Sequence, residues 1–363
     1  MEAGIKTEST TPLSRHAEVT AALREKILSG SYEPGERLPT IHELAAEYET
    51  SYFTVQTALT PLVEQGLVER RRRTGTVVCE NIGVLTRVAI YCSSEFVDEP
   101  QYAFTRELYG QLQRQCAEQG MGPRLFSDSR RSSEHNTPFP ELAEAVKTRQ
   151  VHAILAPLCD QASVKWLETL GVPVSFVSHG GSHGVGFSIS QLLDLALGRL
   201  HEAGGKSVGL ISPDLGIRGR EGHSQPLATM FTTVATELGM QVDDAWVHVK
   251  KVDGHGHEHF GYQAFSELWA GDTRPDGVLV YPDTVARGVT TAVLEQNVRV
   301  PDDLKLVCHK NGGIDWPCPP AVDWVVSDVA RWAAEMIAMV QRQNQGHAVE
   351  PVVLDYTLQQ NGR

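Results

Sequence analysis

Four consecutive arginines, Arg70 to Arg73, form the densest group of cations in the chain, and Thr74 and Gly75 follow them directly. Guanidinium groups bind phosphate oxygens through charge-assisted hydrogen bonds. The flanking segments LVER and GTVV predict a β-hairpin with Thr74 and Gly75 at its tip. We interpret the arginines as phosphate contacts on this hairpin. The alternative is a strand edge on which charge prevents aggregation.

The residues before the hairpin predict three short helices joined by turns. Thr40 stands where a side chain could cap the second helix, either Thr50 or Ser51 could cap the third, and Gly66 stands where that helix would end. Pro61 lies inside the third helix and predicts a kink there. Residues 1–13 are rich in Thr and Ser and predict a disordered tail. The predicted helices cover about residues 14–28, 40–48 and 52–65.

Residues 16–80 resemble the winged helix-turn-helix of GntR-family transcription regulators. The matching stretches are ILSGSYEPGERLPTIHELAAEY and SYFTVQTALTPLVEQGLVERRRRTGTVV. The resemblance implies that the third helix enters the DNA major groove and that the hairpin is the wing beside it. The implied contacts to double-stranded DNA are Arg37, Thr40, His42, Ser51, Tyr52, Thr54, Gln56, Arg72, Arg73, Thr74 and Gly75.

Three of these positions depart from the family pattern. The family often reads guanine with arginines where this chain has His42, Tyr52 and Gln56. A glutamine can pair bidentately with adenine, whereas a tyrosine has no fixed base preference. The operator is therefore expected to differ from those of the family. The alternative is that Tyr52 and Gln56 only cover the helix surface.

From about residue 87, short apolar runs alternate with amphipathic helical segments. This alternation predicts parallel sheets in two similar lobes, with ligands bound beyond the carboxyl ends of the strands. The segment GGSHGVG is predicted to be a turn. The first series of helices covers about residues 103–119, 140–149, 162–170 and 190–203, and the second covers 227–238, 259–270 and 284–296. A helix over about 328–343 and the strand VVLDY close the chain.

This second region resembles the periplasmic-binding-protein-like effector domain of LacI-type regulators. The matching stretches include ALGRLHEAGGKSVGLIS, RPDGVLVYPDTVARGV and VPDDLKLVCHKN. Joined to a GntR-type head, the arrangement is similar to that of arabinose-type regulators. The resemblance places Asp283 in the ligand cleft, and loop positions suggest further contacts. The expected effector-binding residues are Ser94, Glu95, Tyr102, Phe104, His179, Arg220, His255, Asp283 and Trp316.

The effector region also departs from its family. The family's ligand-binding arginine and the glycine after it fall at Leu227 and Met230, and a usual aspartate falls near Ser188. The effector is therefore either unusual or bound by a degenerate pocket. His255, His257 and His259 could bind a metal, but glycines between them favour a loop, and no metal is predicted. Cys308 and Cys318 are expected to be buried thiols rather than a redox pair.

The fold class predicted is α/β, a small winged helix-turn-helix domain followed by a two-lobed periplasmic-binding-protein-like domain. The expected boundaries are a tail over 1–13, the DNA-binding domain over 14–80, a linker over 81–86, and the effector-binding and dimerisation domain over 87–363.

Composition limits the possible function classes. The net charge is −13, and residues 1–80 alone hold nine basic and twelve acidic side chains, so weak non-specific DNA binding is expected. No apolar run could span a membrane, no apolar signal opens the chain, and the six cysteines form no CxxC pair, which favours the cytoplasm. No phosphate-loop motif of the Walker or G-x-G-x-x-G type occurs, and neither an enzyme nor a cofactor is predicted.

The function predicted is a ligand-responsive repressor. It would bind a palindromic operator as a homodimer and respond to a small, sugar-like molecule held between two lobes. Two alternatives are a solute-binding protein and a GntR-headed enzyme fusion, of which a pyridoxal-dependent aminotransferase is the example.

Overall fold

The computed structural model describes residues 14–64, 66–79, 85–94, 102–177, 183–214, 226–252 and 256–360. The chain divides into two compact units, Met1–Leu85 and Thr86–Arg363. Within the described residues, no helix is both long and apolar enough to cross a membrane.

The first unit contains three helices and a two-stranded antiparallel sheet. Apolar residues three and four positions apart bury one face of each helix, which creates a small core. Leu23, Leu44, Val55 and Leu62 are each at most 1% exposed in this core. The elements are α1 (Arg15–Leu28), α2 (Ile41–Glu47), α3 (Tyr52–Glu64), β1 (Val68–Arg71) and β2 (Gly75–Val78).

Local hydrogen bonds define where these helices begin. Thr40 and Glu43 form a reciprocal capping box at the start of α2. Ser51 Oγ accepts a hydrogen bond from the Thr54 amide at 3.1 Å and so caps α3. Helix α3 continues through Pro61 and ends within one turn of it. Gly66 then takes a φ of 69°, a conformation that favours glycine.

The second unit holds two six-stranded sheets, each flanked by helices, and the predicted α/β class is confirmed. The strands are β3 (Arg87–Cys92), β4 (Gly122–Ser127), β5 (Ala153–Leu158), β6 (Val174–Val177), β7 (Gly184–Phe187), β8 (Val208–Pro213), β9 (Val247–Lys250), β10 (Gly277–Val280), β11 (Lys305–Asn311), β12 (Asp323–Ser327), β13 (Val352–Leu354) and β14 (Thr357–Gln359). The first lobe has the strand order β13-β7-β6-β5-β3-β4, and the second has β14-β12-β11-β10-β8-β9. All neighbouring strands are parallel except β14, which is antiparallel to β12.

Eight α-helices accompany these strands in the described residues, and the predicted helices agree with them to within two residues at each end, except that α6 ends three residues before its predicted end. They are α4 (Ala103–Glu118), α5 (Pro140–Lys147), α6 (Gln161–Leu167), α7 (Ile189–Glu202), α8 (Leu227–Glu237), α9 (His257–Ala270), α10 (Asp283–Glu295) and α11 (Val329–Asn344).

The chain passes between the lobes three times, which corrects the prediction of two consecutive series. Helix α7 follows β7 of the first lobe but packs on the second lobe, whereas α11 follows β12 of the second and packs on the first. The third passage joins β13 to β14. The motif GGSHGVG is likewise not simply a turn, because its last three residues begin strand β7.

Candidate DNA-binding surface and effector cleft

Contacts within the first unit join the wing to the start of α2. Gly75 has a φ of 96°, and a β-carbon there would lie 3.3 Å from Arg37 Nε. A side chain at this position would therefore displace Arg37. Arg37 also forms a β-bridge with Val77 of the wing, three residues before the capping residue Thr40. These contacts place Arg37 beside Gly75 and connect the hairpin to the helix-turn-helix.

The starts of α2 and α3 meet through aromatic rings. The His42 and Tyr52 ring centroids are 5.1 Å apart, and both side chains are exposed. Ser51 Oγ lies 2.8 Å from Thr54 Oγ1, so these two hydroxyls are paired with each other at the helix start. Gln56 is half-buried one turn further along α3. Of the predicted residues, His42 and Tyr52 are thus in contact across the two helix starts.

The wing presents its cations at the turn. Arg71 donates from Nε to Glu69 Oε1 at 2.6 Å, so one arginine of the run is neutralised within the hairpin. Arg72, Arg73 and Thr74 form the turn between β1 and β2 and are exposed. Arg73 adopts a φ of 69°, which gives the hairpin its tight reversal. The tip is one residue earlier than predicted, since Gly75 already pairs with Arg71 in the sheet.

Phe53 belongs to this surface, although the sequence motif did not indicate it. It is the second residue of α3, and 76% of it is exposed. The ring of Tyr52 packs edge-on against it at 5.8 Å. The sequence signal that could have identified Phe53 is its position on the helix face opposite to the apolar residues Val55, Ala58 and Leu59, which are buried.

In the second unit, Asp283 lies at the carboxyl end of the second sheet, as its place after an apolar strand predicted. It is the first residue of α10 and only 3% exposed. Its Oδ1 accepts from the Thr284 amide at 2.9 Å, but within the described residues Oδ2 has no hydrogen-bond partner. Burial raises the pKa of this carboxyl, although the Asn311 side chain and the Arg287 charge favour its ionised form.

Two further side chains approach Asp283 from α9 and α10. His257 Nδ1 lies 3.0 Å from Thr284 Oγ1. Arg287, one helical turn after Asp283, places its guanidinium 5.0 Å from the centre of the Trp316 ring. Trp316 also meets Trp324 edge-on at 5.2 Å, so its ring is packed within the second lobe. The spacing of four residues between Asp283 and Arg287 could have revealed this pair in the sequence.

A series of tilted and edge-on aromatic rings links the two lobes. Neighbouring ring centroids are 4.7 to 5.8 Å apart along the series Phe104, Trp332, Phe187, Tyr356, His309 and Tyr281. His309 is 3% exposed, and its Nδ1 has no partner among the described residues. Burial lowers the pKa of His309 to about 3, so the ring is neutral. Phe104, which was predicted to face the ligand, packs against Trp332 at the other end of this series.

The corresponding edge of the first lobe carries hydroxyls and a closed polar network. Ser94 Oγ lies 3.4 Å from the Tyr102 hydroxyl, so these two predicted residues are brought together. Below them, Asp128 is fully buried and accepts two hydrogen bonds from the Arg130 guanidinium at 2.8 and 2.7 Å. His135 continues this network and lies 2.5 Å from Asp160 Oδ2.

Four predicted effector residues, Glu95, His179, Arg220 and His255, lie outside the described residues, as do the predicted tail and most of the predicted linker. Among the residues that are described, no three His, Cys, Asp or Glu side chains are grouped as metal ligands. All six cysteines are free thiols, with Cys308 buried and Cys318 half-buried.

Two family models match the chain. Residues 15–78 match "Bacterial regulatory proteins, gntR family", and residues 197–359 match "Periplasmic binding protein-like domain". The HTH-type transcriptional repressor PurR of Pasteurella multocida is 26% identical over 117 residues, which is 32% of this chain and 33% of PurR. The histidine utilization repressor of Klebsiella aerogenes is 38% identical over 72 residues, 20% of this chain and 30% of that protein. The chain thus spans about a third of the length of these curated relatives.

A LacI family transcription regulator from Clostridium acetobutylicum has the same fold in the second unit. The two structures align with a TM-score of 0.58 at 15% identity, over 76% of this chain and 98% of the other. The chain therefore joins a GntR-family helix-turn-helix domain to a LacI-like, periplasmic-binding-protein-like domain.

Proposed function

We propose that this protein is a transcription repressor whose DNA binding is controlled by a small polar metabolite, sugar-like in chemistry, held between two lobes. One observation carries the proposal. The same chain exposes a winged helix-turn-helix surface and, in its second unit, buries Asp283 Oδ2, which has no partner among the described residues, at the carboxyl end of the parallel strand β10. The first feature suits a large charged partner, and the second suits a ligand small enough to be enclosed.

On DNA, each side chain has a distinct task. The start of α3 faces base edges in the major groove, with Gln56 reading one base pair and Ser51 at the phosphates. Arg72 and Arg73 on the wing hold neighbouring phosphates or enter the minor groove. Two copies related by a two-fold axis would present two such surfaces, and the operator would then be palindromic.

In the cleft, a ligand hydroxyl would donate to Asp283 Oδ2 and so stabilise the buried carboxylate. Ser94 and Tyr102 would hold the other side of the ligand from the first lobe. Closure of the lobes on the ligand would change the spacing of the two DNA-binding units in a dimer. Operator affinity would change by the difference in ligand affinity between the two dimer geometries.

The test begins with selection of duplexes from a random library by the full chain. Thermal-shift screening with sugars, polyols and nucleobases follows, since a ligand at about 100 times its Kd stabilises the folded protein by about 2.7 kcal/mol. We expect a palindromic consensus whose affinity changes when the stabilising compound is added. Selection that returns no consensus would overturn the DNA-binding proposal. A consensus insensitive to every stabilising compound would overturn the effector role.

The wing is tested through the salt dependence of binding. Replacing Arg72 and Arg73 by Ala should weaken operator and random DNA alike and reduce the slope of log affinity against log salt by about two units. Arg114→Ala with Lys147→Ala removes two exposed charges from the second unit and should leave the slope unchanged. Equal slopes in all three proteins would contradict the wing assignment.

Gln56 is tested through sequence preference. Gln56→Ala should lose roughly 1–3 kcal/mol of discrimination at one base-pair position, with phosphate contacts retained. The measurement is a second selection with the variant. An identical consensus from both proteins would leave Gln56 as a surface residue only.

A further inference from the structure

Phe53 is the most exposed of the large apolar side chains in the described residues. It is 76% exposed, compared with 48% for Leu294 and 40% for Tyr52. Burial of such a ring in a complex would remove its apolar surface from water, which favours binding. A phenylalanine that is exposed to solvent at the start of a helix can therefore make an apolar contact with a binding partner.

Its neighbours hold this ring in one place. Tyr52 packs against Phe53 at an interplanar angle of 84°, and His42 of α2 supports Tyr52 from the other side. Ser51 and Thr54 cap the helix directly beside it, so the backbone of Phe53 is set by the first turn of α3. An ordered aromatic side chain loses little conformational entropy when it binds.

Charge and position identify the partner of this aromatic cluster, His42, Tyr52 and Phe53. The cluster shares a small unit with the exposed wing cations Arg72 and Arg73, and the free amides of a helix N-terminus favour an anionic partner. DNA supplies both phosphates and base edges to such a surface. In the major groove, the apolar group that base edges present is the C5-methyl of thymine.

We propose that Phe53 is a specificity-determining residue that recognises the C5-methyl group of a thymine in the operator. The inference rests on the proposed DNA-binding function and adds to it a chemical rule for one position. Phe53 has no hydrogen-bonding group, so it selects the methyl group rather than a donor and acceptor pattern. Cytosine methylated at C5 carries the same group in the groove, so it is recognised better than unmodified cytosine at that position.

The test uses the duplex selected by the full chain, with each thymine replaced in turn by deoxyuridine. This change removes one methyl group and leaves every hydrogen bond of the base pair intact. At about 0.8 kcal/mol per buried carbon, the wild-type protein should lose about fourfold in affinity at the contacted thymine. Replacement of both symmetry-related thymines in a palindrome should cost about 15-fold.

Variants then assign this effect to Phe53. In Phe53→Ala, the ratio of affinities for thymine and uracil should fall to about one at the same position, while other positions keep their ratios. Phe53→Leu keeps an apolar side chain and should retain part of the ratio. Leu294→Ala, an exposed apolar residue of the second unit, is the matched control and should behave as wild type. Because each result is a ratio, a general loss of affinity cancels.

A second arm replaces the contacted thymine by cytosine and by 5-methylcytosine, and the methylated base should bind the wild-type protein more tightly by about fourfold. The inference is overturned if uracil matches thymine at every position, or if Phe53→Ala keeps the wild-type ratio. A change of oligomeric state in Phe53→Ala, with the ratio intact, would assign the ring to a protein interface instead. Failure of the proposed function appears differently, as selection without any consensus.

Discussion

At the carboxyl end of the first sheet, Asp128 receives hydrogen bonds on both oxygens, from Arg130 at 2.8 and 2.7 Å and from the Tyr91 hydroxyl at 3.0 Å. At the equivalent end of the second sheet, Asp283 is almost as deeply buried but has an unpartnered Oδ2 within the described residues. Asp128 follows the partly exposed edge strand β4, whereas Asp283 follows the buried strand β10, and both carboxyls lie beside an arginine. They differ in how many donors reach them.

The pKa values follow this difference in opposite directions. Burial alone would raise the pKa of Asp128, but the hydrogen bonds from Arg130 prevail and lower it. For Asp283, burial prevails over Asn311 and Arg287 and the pKa is raised. A buried carboxylate without enough donors is costly unless another molecule supplies them. The comparison teaches that the first lobe surrounds its buried carboxylate with its own donors, whereas the second leaves one oxygen of Asp283 without a donor among the described residues.

The largest expected effect is on the closed network. Asp128→Ala leaves the Arg130 guanidinium and the Tyr91 hydroxyl without their acceptor, and should destabilise the second unit by about 3–5 kcal/mol. All six tryptophans lie in that unit, so urea unfolding followed by tryptophan fluorescence reports on it alone. Asp194→Ala removes an exposed carboxylate from α7 and should change stability by less than about 0.5 kcal/mol. A loss below about 1 kcal/mol for Asp128→Ala would break the comparison.

An intermediate effect is expected at His309. Its pKa of about 3 in the folded chain, against an ordinary value near 6.5, means that the unfolded state binds more protons between these two values. Stability contributed by the neutral ring is present above pH 6.5 and is lost as the pH falls toward 3. Between pH 7 and pH 5 the wild type should lose about 2 kcal/mol that His309→Gln does not lose.

The measurement for His309 is the difference between variant and wild-type unfolding free energies across this pH range. His201→Gln, an exposed histidine in α7, should run parallel to wild type. If the unfolding free energies of His309→Gln and wild type changed in parallel with pH, the His309 ring would not be held neutral between Tyr281 and Tyr356.

The smallest effect on stability is expected at Asp283. Asp283→Asn keeps the shape and the oxygen that accepts the Thr284 amide, so α10 should remain intact. Because the folded pKa is raised, wild-type stability falls as the pH rises from the ordinary value through the folded value. The variant lacks this loss, so at neutral pH its unfolding free energy should equal or slightly exceed that of wild type.

The functional consequence at Asp283 is nevertheless large. The variant should bind operator normally and fail to respond to effector, as measured by operator affinity with and without ligand and by calorimetric ligand binding. Normal ligand affinity in Asp283→Asn would leave the carboxylate with a local role at the helix start and remove the main support for the cleft assignment.

Sequence reasoning anticipated local structure better than the assignment of elements to lobes. Apolar spacing and caps placed α2, α3 and the wing because those signals are local. Helix α7 was assigned to the wrong series and α11 to neither, because periodicity shows that a helix has a buried face but not which sheet covers it. Strand β7 was missed because its glycines resemble a turn. Phe53 escaped notice because the family pattern drew attention to the polar positions beside it.

The three passages between lobes also affect how the protein is made. The edge strand β13 of the first lobe lies at residues 352–354, whereas its partner β7 ends at Phe187. A ribosome must therefore complete almost the whole second lobe before the first can close its sheet or receive α11. Contacts between such distant residues slow folding and leave apolar surface exposed meanwhile. The nascent chain would thus depend on chaperones for longer than a protein of two consecutive domains.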